Sequence, residues 1–152
     1  MTVKDKDRGW RRMLAIALEA NPLVVTVGVQ GDAERATGEI SNIDLATIHE
    51  FGAPGAGIPE RSFIRSTLED QQGYRELARK LTDAVVAGKV DVPKALALFG
   101  EQVSSDIKRK IESGIDPPNA PATVAKKGSS KPLVDTGQLK NSISYVVKKD
   151  AG

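Results

Sequence analysis

Leu96, Phe99, Val103, Ile107 and Ile111 recur at steps of three, four, four and four residues, which lays them along one stripe of an α-helix. Asp91 stands where an N-cap carboxylate takes the free amides of a first turn. Lys108, Arg109 and Lys110 fall in the last turn, where the helix dipole favours cations, and Gly114 ends the pattern. A helix this long with a single apolar stripe must lay that stripe on something. The chain has 152 residues, only 4% of them aromatic, so the matching surface is aliphatic and belongs to one domain of ordinary size. Two short segments supply it. Leu23 to Val29 is β-branched, with Leu23, Val25, Val27 and Val29 on one face, and Ile143, Tyr145 and Val147 alternate near the other end of the chain. The expectation is an α+β fold: a small antiparallel sheet from strands near 23–29 and 142–148, with several helices on one face, in a single domain spanning 1–152.

The remaining elements follow from local chemistry. Asp7 to Ala20 places Trp10, Met13, Leu14, Ala17 and Leu18 at helical spacing, opposite Arg11, Arg12 and Glu19, and Pro22 stops it. Residues 32–41 are polar and read as a hairpin arm or mobile loop. Asn42 is placed to cap a short helix, Ile43 to Glu50, with Asp44 in its first turn. Gly52 permits the turn that follows, through a stretch with two Gly and two Pro in residues 53–59. Pro59 then suits the first turn of a helix over 60–72. Tyr74, Leu77, Ala78, Leu81, Ala84 and Val85 make another apolar stripe, interrupted at Gly88. Residues 116–132 hold four prolines and too little apolar surface to offset their ordering entropy, which predicts an extended, flexible loop. After it, Asp135 or Thr136 caps a helical turn beginning at Gly137.

Charge is segregated. Residues 1–12 carry net +3 and residues 126–150 net +4, leaving net −5 between them. Basic ends around an acidic middle suit head-to-tail contact between copies, or a phosphate backbone near the termini. With no Cys, there are no disulfides, thiolate nucleophiles or Cys-based metal sites. No apolar run approaches the ~20 residues of a membrane span, and the first residues are charged where a signal peptide turns apolar. A soluble protein of reducing or cytosolic origin, without membrane contact, is expected.

Motifs for chemistry are incomplete. His49-Glu50 is half of a zincin motif, but position 53 is Ala where the second His belongs. Gly88-Lys89 lacks a phosphate loop before it and a Ser or Thr after it, and no Gly-x-Ser-x-Gly elbow occurs. The glycine-rich 52–57 segment lacks a neighbouring Lys for a phosphate. Glu69-Asp70 falls on a solvent-facing helix. Leu133-Val134-Asp135-Thr136-Gly137 resembles the loop of retroviral-type aspartic proteases, but Gln138 follows where Ala or Ser is usual, and only fifteen residues remain beyond Gly137. The chain therefore reads as a non-enzyme with no cofactor.

Three stretches, in order, carry a resemblance. Ile43-Asp44-Leu45-Ala46-Thr47-Ile48-His49-Glu50-Phe51-Gly52, then Ile58-Pro59-Glu60-Arg61-Ser62-Phe63-Ile64-Arg65, then Leu133-Val134-Asp135-Thr136-Gly137-Gln138-Leu139-Lys140-Asn141-Ser142-Ile143, together resemble the signatures of tailed-phage tail-completion or neck proteins, similar to the Mu-like virion morphogenesis group. Ser62 departs from the Pro common there. The resemblance implies a virion protein at the head–tail junction, assembled in the host bacterial cytoplasm. It would form a ring of six or twelve copies around the channel for DNA, between a head adaptor or portal-side connector and a tail terminator or tail tube. Within it, Glu50, Phe51, Gly52, Pro59, Phe63, Asp135, Thr136, Gly137 and Leu139 are structural. Arg61 and Arg65, one turn apart, are expected to present guanidinium groups on one helix face to a neighbouring subunit. Lys126, Lys127 and Lys131, on a loop long enough to reach an adjacent ring, are expected to meet a partner or lie near DNA without reading its sequence. The alternative is a basic-ended DNA-binding accessory protein.

Overall fold

The computed structural model describes residues 10–20, 23–30, 40–118 and 137–150. Along the chain run α1 (Trp10–Ala20), β1 (Leu23–Val29), α2 (Asn42–Phe51), a 3-10 turn (Pro54–Ala56), α3 (Arg65–Leu68), α4 (Gln71–Val86), α5 (Val92–Ser113), α6 (Gln138–Ser142) and β2 (Ile143–Lys149). The fold is α+β, and the described residues form a two-stranded antiparallel sheet and several helices.

Strands from distant parts of the chain meet as their alternation requires. Val25 pairs with Val147, Val27 with Tyr145 and Val29 with Ile143, so the apolar residues of both strands share one face. That face lies on α5. Gly100, in the middle of α5, makes the approach possible, because a Cβ there would stand 2.8 Å from both Tyr145 Cβ and Val25 Cγ2. The opposite face carries Val24, Thr26, Val146 and Lys148.

The stripe on α5 serves two clusters. Toward its C-terminal end, Val103, Ile107 and Ile111 pack with Ala46, Phe63, Ile115, Leu139 and Ile143. Phe63, Ile107, Ile111 and Ile143 are wholly enclosed, each contributing about 1.5–3 kcal/mol by burial. Toward the N-terminal end, Val85, Val92 and Ala95 pack with Ile16, Leu23, Leu81, Val90 and Leu96. Asp91 caps α5 by accepting the Lys94 amide at 2.8 Å.

Three boundaries differ from the sequence reading. Ser41, not Asn42, caps α2, its hydroxyl accepting the Asp44 amide at 3.0 Å while Asn42 is buried inside the first turn. Pro59 starts no helix. Residues 59–64 run irregularly, α3 is only four residues, and Asp70 caps a separate α4 by accepting the Gly73 amide at 3.0 Å. A side chain from α2 has taken the amides that a continuous helix would have used. The expected arm at 32–41 and loop at 116–132 lie largely outside the described residues.

Candidate functional site

Four residues separate Ala46 and Glu50 on α2, which puts both on its inward side, and both are buried. Helix α2 stops at Gly52, whose φ of 73° is left-handed and whose Cβ, were there one, would lie 2.8 Å from the Glu60 backbone nitrogen. Ala53 and Ile58 then close a small loop: the Ala53 amide donates to the Ile58 carbonyl at 2.8 Å and the Ile58 amide returns to Ala53 at 3.1 Å. The amides of Ala56 and Gly57 also donate to backbone carbonyls within this loop, so little of it is left to cradle an anion. The loop brings residues 61–65 back beneath α2, where the Arg61 amide donates to the His49 carbonyl at 2.7 Å.

Glu50 fastens this return. Its Oε2 accepts the Phe63 amide at 2.9 Å and the Ile64 amide at 3.0 Å, while its Oε1 accepts the Arg65 amide at 2.9 Å and the Ser62 hydroxyl at 2.7 Å. Four donors fill about the four lone-pair directions of a carboxylate. Burial alone raises the carboxyl's pKa, but the hydrogen bonds from Ile64, Ser62, Arg65 and Phe63 outweigh it and hold the group below its ordinary value. Saturated in this way, Glu50 acts as a clamp that caps the start of α3, with no lone pair aimed at a substrate.

Arg61 corrects the expectation of two guanidinium groups side by side. It is buried, and donates from Nε to the Pro117 carbonyl at 2.7 Å and from Nη2 to the Pro118 carbonyl at 3.1 Å. Burial pushes its pKa down from the ordinary value. It therefore fixes the residues beyond α5 instead of facing outward. Arg65 is exposed and pairs with Glu60. The two differ because residues 60–64 are not helical, so a spacing of four does not place them on one face.

The three motif stretches meet around one core. Phe63 and Leu139 are buried in the same cluster as Ala46 of α2, and α6 packs against α2. Gly137 caps α6 with φ 74°, and Lys140 reaches Glu112 of α5 at 2.7 Å. Phe51, expected as structural, is instead 64% exposed, and Pro59 is exposed in the irregular segment. Asp135, Thr136, Lys126, Lys127 and Lys131 lie outside the described residues. Sequence reasoning missed Ser62 as a donor to Glu50, the proline carbonyls as acceptors for Arg61, and Gly100 as the point of contact with the sheet. For Gly100 the signal was present: a glycine inside the strongest helical stripe of the chain.

Outside the clamp, Phe51 borders a groove between α2 and α3 of about 440 Å³, lined by Val29, Ile43, Ala46, Phe51, Ile64 and Leu68 together with Thr47, Glu50 and Arg65. Among the described residues no three or more His, Asp or Glu side chains converge to hold a metal ion, and no helix is long and apolar enough to cross a membrane. Comparisons with family models, curated proteins and solved structures find no match for this chain.

Proposed function

We propose that this chain is a structural protein of the head–tail junction of a long-tailed phage, forming a ring around the DNA channel that joins the filled head to the tail. One observation carries the reading. Glu50 of the first motif stretch binds the backbone of Phe63, Ile64 and Arg65 in the second, and Leu139 of the third packs into the same core. The residues that carry the resemblance thus specify one local structure together. The segregated charges of the sequence support contact between copies, which brings a basic end against an acidic middle. In the ring, the partners are further copies of the chain, a connector on the head side and a terminator or tube on the tail side.

The test is genetic and microscopic. Removing the gene leaves DNA-filled heads and finished tails unjoined, and cryo-microscopy of wild-type particles finds this chain as a ring at the junction. Particles that assemble normally without it defeat the reading. Tight, steeply salt-dependent duplex binding by the free subunit would favour the DNA-binding accessory role instead.

A further inference from the structure

We propose that successive copies of this chain join head to tail through two different apolar surfaces, the outer stripe of α1 on one copy seating in the groove between α2 and α3 of the next. The inference rests on the oligomeric reading above and supplies its contact.

Helix α1 has two apolar sides. Ile16 points inward and packs with the cluster of Leu23, Leu81 and Val85, and the Arg12 guanidinium lies against Gly88 just beyond α4. Leu14 and Leu18, one turn apart and on the side away from Ile16, are 48% and 68% exposed, and Met13, between the two sides, is 53% exposed. Large aliphatic side chains clustered on one exposed helix face mark an interaction surface rather than scattered surface residues. The groove is its counterpart in shape: concave, about 440 Å³, and rimmed by Ile43, Phe51 and Leu68, which are 39%, 64% and 42% exposed.

Position and charge select a second copy as the occupant. Strand β1 joins the two surfaces, since Leu23 at its start packs against the same cluster as Ile16 of α1, and Val29 at its end lines the groove. Seven residues at about 3.3 Å each put them roughly 20 Å apart. A ridge at one end and a groove at the other make a heterologous contact, which generates a ring when its rotation closes. The two surfaces belong to stretches of opposite net charge. The first twelve residues, which run into the first turn of α1, hold five basic and two acidic side chains, whereas residues 40–72, the stretch that carries α2 and α3, hold five carboxylates and two arginines. Attraction of these blocks steers α1 of one copy toward the groove of another and away from its own kind.

The chain contains no Cys, so introduced thiols report contact without ambiguity. Two single variants, Leu14→Cys and Phe51→Cys, are mixed under mild oxidation. The expected result is a disulfide heterodimer several-fold in excess of either homodimer, a ladder of higher oligomers from the double variant, and loss of the crosslink when Leu18→Glu is added to the Leu14→Cys chain. Circular dichroism confirms that each variant is folded. Homodimers in excess, or a heterodimer yield no greater than that of Leu14→Cys mixed with Glu101→Cys, at an exposed position of α5, overturn the proposal. A particle whose ring uses other surfaces discards this contact and keeps the head–tail reading. The ladder in a chain that is absent from the particle keeps the contact and discards that reading.

Discussion

Arg61 Nε donates to the Pro117 carbonyl at 2.7 Å, 56 residues further along the chain, and its Nη2 reaches the next carbonyl, of Pro118, at 3.1 Å. One planar fork thus holds two successive carbonyls. Arg61→Lys keeps the charge but offers a point donor on a flexible stem, so one carbonyl loses its partner. The urea midpoint falls by the equivalent of about 1–3 kcal/mol with an unchanged slope. An unmoved midpoint shows that the fork contributes nothing to stability.

Glu50→Gln removes the negative charge and turns an amide group toward backbone N–H donors. Hydrogen bonds to a charged group are worth about 1.5–3 kcal/mol, and a loss in that range is expected from denaturation. The sign of the pH effect follows from the folded carboxyl titrating below its ordinary value of 4.5. Its contribution is complete above that value and is lost as pH falls through the depressed one. Acid unfolding of the wild type therefore carries a component that Glu50→Gln lacks, and superimposable pH profiles refute the clamp.

Phe63→Ala empties a fully buried site beside Ile107 and Ile111 and costs about 3–5 kcal/mol. Gly100→Ala acts by the opposite route. The added methyl meets Tyr145 and Val25 at 2.8 Å, forcing α5 away from the sheet at a cost of about 1–3 kcal/mol. Alanine is the better helix former, so a stabilised Gly100→Ala variant contradicts the close approach.

Tyr74 donates its hydroxyl to Asp106 at 3.2 Å. Burial first, and the Asp106 charge second, push its phenol up to about 12. The folded value lies above the unfolded one, so the contribution is full below about pH 10 and disappears as pH rises through 12. In a Tyr145→Phe background, ultraviolet titration reads Tyr74 alone. Its midpoint falls toward the ordinary range in Asp106→Asn, and an unchanged midpoint removes Asp106 as a cause.

Elements governed by repeating local spacing were legible in the sequence. The stripe from Leu96 to Ile111 marks α5, and alternation in Leu23–Val29 and Ile143–Val147 predicts both the sheet and its shared apolar face. The site was legible only in outline. Its geometry depends on Glu50 reaching residues twelve to fifteen positions away, a tertiary capping contact that has no periodicity. That contact replaces the helix expected after Pro59 and sends Arg61 inward while leaving Arg65 outside. Phe51 follows the same logic in reverse: hydrophobic by type, it is exposed because Glu50 beside it occupies the inward position.

Among the described residues, β1 pairs only with β2, and the register joins Thr26 to Val146 across 120 positions. During synthesis the first strand therefore emerges long before its partner, and so does the face of α5 on which both must lie. The nascent chain can form helices as it leaves the ribosome, but the ladder and the enclosure of Ile143 wait for the arrival of residues 143–149. A product cut off before them keeps its local turns and lacks the lid of its own interior, which leaves premature fragments as natural targets for cellular proteolysis.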